Sequence, residues 1–100
     1  MYGKIFESLY TGSMVGSGAH VFAVWGYVIA NTKQDGSIEL NPIILATILG
    51  EQREIIDTAI ETLMSPDPHS RSKIEEGRRL VKEGEFLYRV PTYHHYQNIR

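Results

Sequence analysis

The hydrophobic positions of this chain are densest between positions 21 and 30. The large apolar residues there recur at the spacing of one helix face. They are Val21, Phe22, Val24, Trp25, Val28 and Ile29. Small residues fill much of the opposite side, and a helix that is apolar almost all round is buried on more than one face. We therefore predict a helix that is either central to the fold or partly used for self-association.

The stretch before this helix is interpreted as an N-terminal arm. Its apolar residues Ile5, Phe6, Leu9 and Tyr10 fit one or two helical turns docked on the core. Glycine and serine residues between positions 11 and 18 then interrupt the pattern. We therefore divide the chain into an arm, residues 1–18, and a single domain, residues 19–100.

The middle of the chain predicts a short strand at residues 37–40 followed by two helices. Asn41 and Pro42 suit the N-cap and the first position of a helix. Gly50 suits the left-handed residue that follows its last turn. A second helix runs from about residue 52 to residue 64, and Pro66 ends it.

The C-terminal third predicts a β-hairpin between positions 79 and 90. Phe86, Tyr88 and Val90 alternate on its second strand, and residues 83–85 form the turn. The resulting order is helix, strand, helix, helix, strand, strand. That order predicts an α+β, mainly α fold, a winged helix-turn-helix with a three-helix core and a C-terminal β-hairpin wing.

The steric requirements of a helix-turn-helix are met around Gly50. A small residue is needed where the two helices meet, and Ala46 lies four positions before the glycine. Ile56 and Ala59 supply the apolar surface with which the second helix packs back. Many plain helical hairpins share a small residue and a glycine, so that alternative stays open.

Composition narrows the possible functions. The 100 residues include no cysteine, which excludes a disulfide framework, a thiolate zinc site and a cysteine nucleophile. The formal net charge is −2, so any contact with nucleic acid requires a local basic patch. The longest apolar stretch is shorter than a membrane span, and the start resembles no signal peptide. We therefore expect a cytoplasmic protein without membrane contact.

The second helix of the predicted helix-turn-helix would lie in the major groove of DNA. Gln52, Arg53 and Thr58 are its outward side chains suited to bases, although four acids share that face and repel phosphate. The candidates for phosphate contact are basic residues of the loop and wing, Arg71, Lys73, Arg78, Arg79 and Lys82. Two alternatives stay open. The acidic helix could be a solvated or protein-binding face, and the arginines could pair with neighbouring glutamates.

Other chemistry finds little support. Adjacent His94 and His95 would point to opposite faces of a strand, which is a poor arrangement for chelating one metal ion. No glycine loop has the lysine that a P-loop needs. Tyrosines near the C-terminus could stack on single-stranded bases, but core packing is the preferred interpretation. We predict no enzyme activity, no catalytic residue, no metal and no cofactor.

Two stretches carry a resemblance to a known family. One is the run of residues 65–72, SPDPHSRS, followed by Glu75-Glu76-Gly77-Arg78-Arg79-Leu80. The other is the opening run of residues 4–13, KIFESLYTGS. With the markers at Ala46 and Gly50 and the closing residues 93–96, YHHY, the chain resembles phage-encoded winged helix-turn-helix proteins of the replication initiator or replisome organiser type.

The resemblance covers nearly the whole chain and implies binding of DNA, most simply duplex, in phage or prophage replication inside a bacterial host cell. The alternative function is a protein-interaction module that docks a helicase, a loader or its own copy through an apolar first helix and an acidic second one. Members of this family also lead us to expect a longer protein, of which these 100 residues are an N-terminal fragment or a short variant.

Overall fold

The computed structural model describes residues 13–70 and 73–93. Within these ranges the chain forms three α-helices: α1 (Ala19–Asn31), α2 (Pro42–Leu49) and α3 (Arg53–Met64). Three short strands join them: β1 (Ser37–Glu39), β2 (Val81–Lys82) and β3 (Leu87–Arg89). The predicted α+β class and the order of its elements are confirmed. The fold is compatible with a winged helix. The predicted helical turns around Ile5 and Leu9 lie outside the described residues.

Helix α1 is the centre of the core. Its residues Val24, Trp25 and Val28 are almost completely buried, and α3 is its main packing partner. The exposed residues of α1 are small or polar, such as Ala23 and Ala30. The prediction of a central helix is therefore the alternative that the structure favours. Met14, from the segment that precedes α1, is also buried in this core.

Local sequence signals set both ends of α2. The Asn41 side chain accepts a hydrogen bond from the N–H of Ile43 over 3.0 Å, and Pro42 occupies the first turn. Gly50 adopts the left-handed conformation, with φ 69° and ψ 38°, and its N–H donates to the carbonyl of Ala46. The glycine turn reverses the chain so that α3 packs on α2, and Ala46 and Ala59 are both buried.

The three strands form one antiparallel sheet in the order β1-β3-β2. Ile38 on β1 lies opposite Tyr88 on β3, and both side chains are buried. The predicted hairpin is present as β2 and β3, but it is short because the N–H groups of Glu83 and Gly84 both donate to the carbonyl of Leu87. A short 3₁₀ segment with irregular backbone, Ile74–Gly77, precedes the hairpin.

None of the helices in the described ranges is both long and apolar enough to cross a membrane.

Candidate nucleic-acid interface

Helix α3 presents the three side chains that the sequence assigns to base contact. Gln52, Arg53 and Thr58 are all exposed. The Thr58 hydroxyl donates to the carbonyl of Glu54 over 2.9 Å, which leaves its oxygen able to accept. Arg53 lies 3.6 Å from the carboxylate of Asp57, one helical turn away, with both side chains about half exposed. Such a solvent-screened pair is weak, so the guanidinium can exchange partners.

The remaining outward positions of α3 and of the turn before it are acidic. Glu51, Glu54 and Glu61 are exposed, and Asp57 is half-buried. Four carboxylates against the single guanidinium of Arg53 make this surface electronegative. These acids would repel a DNA backbone, so any base contact from this helix would depend on Gln52, Arg53 and Thr58 at its N-terminal end.

The wing arginines lie among glutamates. Arg78 Nη1 is 3.7 Å from Glu76 Oε1, and its guanidinium also donates to the carbonyl of Glu75 over 3.4 Å. Arg89 Nε lies 2.9 Å from Glu83 Oε2, and its Nη2 lies 3.7 Å from Glu75 Oε2. These pairs are partly exposed, so phosphate could displace them. They agree with the alternative in which these arginines belong to a solvated ionic network.

Two lysines of the predicted phosphate-contact set have fewer side-chain partners among the described residues than these arginines. Lys73 Nζ donates to the carbonyl of Pro68 over 3.1 Å and makes no ion pair among the described residues. Lys82 ends β2 and is exposed. Arg71, the remaining predicted phosphate contact, lies outside the described residues.

Arg79 is placed differently from the other predicted site residues. Its Nη1 donates to Asp67 Oδ2 over 2.9 Å, and its Nη2 donates to the Ser13 hydroxyl over 2.6 Å. The side chains of Arg79 and Asp67 are only 20% and 16% exposed. Arg79 therefore joins the segment before α1 to the loop after α3, and little of its guanidinium faces solvent.

The ionisation of Asp67 reflects the same cluster. Burial by itself would raise the pKa of this carboxyl. Hydrogen bonds from the Ser13 hydroxyl, from Arg79 and from the N–H of His69 outweigh that penalty, so the pKa lies below its ordinary value. Asp67 is thus a carboxylate at neutral pH and pairs with Arg79 as a charged group.

The loop that carries the family resemblance is locked by backbone contacts as well. The N–H of Asp67 donates to the carbonyl of Glu76 over 2.9 Å. Gly77 is buried with φ 82°, and a Cβ at this position would collide with the carbonyl oxygen of Asp67. Glu75 and Glu76 also have positive φ, of 52° and 58°. Three successive left-handed residues therefore shape the chain that leads into Arg78 and Arg79.

The aromatic residues of the sheet serve the core. Tyr88 and Tyr93 are buried, and the Tyr93 hydroxyl donates to the carbonyl of Thr32 over 3.3 Å. Burial raises the pKa of Tyr88, and the Asp57 carboxylate adds to the effect. These two rings are therefore not available for stacking on bases. Tyr96, His94 and His95 lie outside the described residues. No group of three or more potential metal ligands occurs in the described ranges.

Sequence reasoning missed an apolar surface on α2. Ile43, Ile44 and Ile48 are 58%, 56% and 57% exposed. The signal was present: α2 holds six aliphatic residues in eight and no charge, which is more than one buried face of so short a helix can cover. Leu45 and Ala46 take the buried face. The isoleucines are left in solvent.

Two grooves border this helix. The larger, about 320 Å³, is lined by Tyr27, Glu39, Leu40, Asn41, Ile44 and Leu45. The smaller, about 180 Å³, is lined by Ala19, His20, Ala23, Leu49, Glu51 and Ile56. The smaller groove is mainly apolar, the larger one has a mixed lining, and each includes one carboxylate. Neither is lined by a lysine or an arginine.

Comparison with known proteins adds no relative to these observations: no family model matches the chain, and no curated protein or solved structure matches it either.

Proposed function

We propose that this chain is a non-catalytic DNA-binding module of the winged-helix type. The observation that carries the proposal is the arrangement of elements around the glycine turn. Two helices meet at Gly50, and a hairpin that pairs with β1 in the order β1-β3-β2 follows them. In DNA-binding proteins built this way, the helix after the turn contacts the major groove. The setting in phage or prophage replication, in the cytoplasm of a bacterial host, rests on the family resemblance alone.

In this proposal the candidate side chains have distinct roles. Gln52, Arg53 and Thr58 contact bases from the first turns of α3. Lys73, Arg78 and Lys82 contact phosphates, together with Arg71. Arg79 supports the loop through Asp67 rather than contacting DNA, because both of its terminal nitrogens already donate within the protein.

The number of available cations sets the strength of binding. Three to four phosphate contacts give a slope of log affinity against log salt of about −3, which is a loss of about 60-fold between 50 mM and 200 mM salt. The acidic face of α3 lowers the affinity further. We therefore expect weak binding that is best seen at low salt.

Fluorescence anisotropy with labelled duplex and single-stranded oligonucleotides, at low and moderate salt, tests the proposal. Duplex binding that weakens steeply with salt and exceeds single-strand binding is the expected result, because Tyr88 and Tyr93 are buried and do not offer their rings for stacking on unpaired bases. Absence of binding to either oligonucleotide at low salt contradicts it.

A second candidate function is a protein-interaction module. The specific observation in its favour is the exposed isoleucine surface of α2 beside an acidic α3. This surface suits protein contact better than phosphate contact, since it combines apolar area with negative charge.

A further inference from the structure

The isoleucine surface of α2 is defined by Ile43, Ile44 and Ile48, each more than half exposed. Ile44 and Ile48 are one helical turn apart and therefore lie side by side. Together the three side chains expose on the order of 300 Å² of apolar area, which is comparable to the largest apolar patch of a typical monomer, a patch that is often functional. Single exposed apolar residues, such as Val15 elsewhere in the chain, need no such explanation.

The larger groove extends this surface inward. Ile44 is both part of the exposed row and part of the groove wall, together with Tyr27 and Leu40. A groove of about 320 Å³ with both apolar and polar lining residues has room for a large aliphatic or aromatic side chain. An exposed row of side chains beside a groove suits a partner that presents a row of apolar side chains. It suits a partner with a flat surface less well.

The charge around the isoleucine surface indicates which kind of partner can cover this surface. The chain from Ser37 to Met64 has a net charge of −4: five acids, Glu39, Glu51, Glu54, Asp57 and Glu61, against the single base Arg53. Arg53 is itself next to Asp57. Glu39 lines the larger groove and Glu51 lines the smaller one. One carboxylate thus precedes α2 and shares a groove with Ile44, and another follows α2 in the chain.

This charge argues against two occupants. A second copy placed isologously would bring the same acids against these acids. DNA is excluded from this surface by phosphate repulsion and by the absence of polar groups on the isoleucines. A protein segment that carries both apolar side chains and positive charge complements the isoleucines and the surrounding acids.

We propose that the α2 surface docks an amphipathic helical segment of another protein, whose aliphatic row is flanked by lysines or arginines. The row packs on Ile43, Ile44 and Ile48 and inserts one side chain into the groove beside Ile44. The flanking cations meet Glu39 and Glu51. The proposal rests on the second candidate function and is independent of DNA binding, since it uses none of the basic residues assigned to phosphate.

The probe is an 18-residue fluorescent peptide with leucine at helical spacing and lysine at the other positions. Two further peptides serve as controls, one with glutamate in place of every lysine and one with serine in place of every leucine. Anisotropy titration should show binding of the leucine–lysine peptide at least tenfold tighter than either control. Equal affinity for the lysine and glutamate peptides overturns the charge argument.

The protein variants locate the site. We expect Ile44→Ser with Ile48→Ser to weaken binding of the leucine–lysine peptide at least tenfold, while Val15→Ser, the matched exposed position away from α2, changes it less than twofold. Glu39→Gln with Glu51→Gln should weaken binding three- to tenfold, with the loss disappearing at high salt. Undiminished binding by the isoleucine variant overturns the proposal.

Two measurements separate this outcome from the others. Light scattering of the protein alone at rising concentration should show a monomer, and a dimer that Ile48→Ser abolishes would assign the surface to a second copy and overturn the proposal. Titration of the isoleucine variant with labelled duplex should leave DNA affinity unchanged. If the isoleucine variant loses DNA affinity, the surface belongs to the DNA interface, and the proposal is contradicted. If the unmutated protein fails to bind duplex, that result counts only against the DNA-binding function.

Discussion

The pair of Arg79 and Asp67 shows how one position in a basic cluster can differ from its neighbours. Arg78 and Arg79 are adjacent in sequence and equally suited to phosphate by residue type. In the structure Arg78 has a long, partly exposed pair with Glu76, whereas Arg79 has two short hydrogen bonds in a mostly buried cluster. The difference is one of partner and burial, and it assigns the two arginines different roles.

We expect Arg79→Ala to lower the free energy of unfolding by about 1.5–3 kcal/mol, because it leaves the Asp67 carboxylate without its charged donor. Arg78→Ala is the matched control and should cost less than about 0.5 kcal/mol, as screened pairs do. Urea denaturation followed by circular dichroism measures both. Equal losses for the two variants would show that the Asp67 contact adds no stability.

The same cluster predicts the response to acid. Because the pKa of Asp67 is lower in the folded protein than in the unfolded chain, its contribution is fully present above the unfolded pKa of about 4 and is lost as the pH falls through the folded value. Asp67→Asn should therefore be less stable than the parent at pH 7, with the difference shrinking from about pH 4 downward. Melting temperatures at pH 7, 5, 4 and 3 test this. A difference that stays constant through pH 3 contradicts the assignment.

At the scale of elements, the described residues between α3 and the hairpin, 65–70 and 73–80, are held together by specific contacts. Asp67 bonds to Arg79 through its side chain and to Glu76 through its N–H. Gly77 leaves the space that this close approach needs. The residues that make the stretch distinctive thus contact one another, and they fix the path from α3 to the hairpin.

Gly77→Ala should lower the free energy of unfolding by at least about 2 kcal/mol, since the new methyl group meets both a left-handed backbone and the Asp67 carbonyl. Gly26→Ala is the control within the same protein. Gly26 lies inside α1, and no neighbouring atom lies within 4 Å of the place a Cβ would take, so alanine there should add about 0.5–1 kcal/mol. Thermal denaturation of both proteins should show opposite signs. A loss at both glycines, or at neither, would contradict this account.

Helix ends that are set by residues close in sequence could be predicted from the sequence. Contacts between residues far apart in sequence could not. Asn41 and Gly50 act within four residues of themselves, so the ends of α2 were predictable. The partner of Arg79 lies twelve residues away, and β1 pairs with a strand some fifty residues later. The exposed isoleucines were missed because apolar periodicity predicts only which residues form a helix. How many apolar side chains of that helix are buried depends on the elements that pack against it.

At the scale of the whole molecule, charge is divided along the chain. The part that contains α2 and α3 is acidic, and seven of the ten lysines and arginines lie between positions 71 and 100. A protein that binds DNA with this distribution must do so through the loop and wing, with α3 contributing only its first turns. The proposed protein contact uses the opposite kind of surface. The two functions are therefore compatible on one small domain.

We expect Arg78→Ala and Lys82→Ala each to weaken duplex binding alike on all sequences and to reduce the salt slope by about one. The control is Lys33→Ala, an exposed cation in the turn before β1 that is outside the proposed contact set. Anisotropy at four salt concentrations measures the slopes. A slope unchanged in both wing variants would mean that these side chains make no phosphate contact.

The strand order has a consequence for how the chain becomes a folded protein. Among the strands of the described residues, β3 comes last in sequence and is the middle strand of the sheet, so β1 and β2 have no strand partner until residues 87–89 have been synthesised. The helices can pair through contacts close in sequence, whereas the sheet closes a loop of about fifty residues, the slower kind of step. During synthesis, Ile38 and Leu40 therefore remain without their final neighbours until residues 86–89 have left the ribosome.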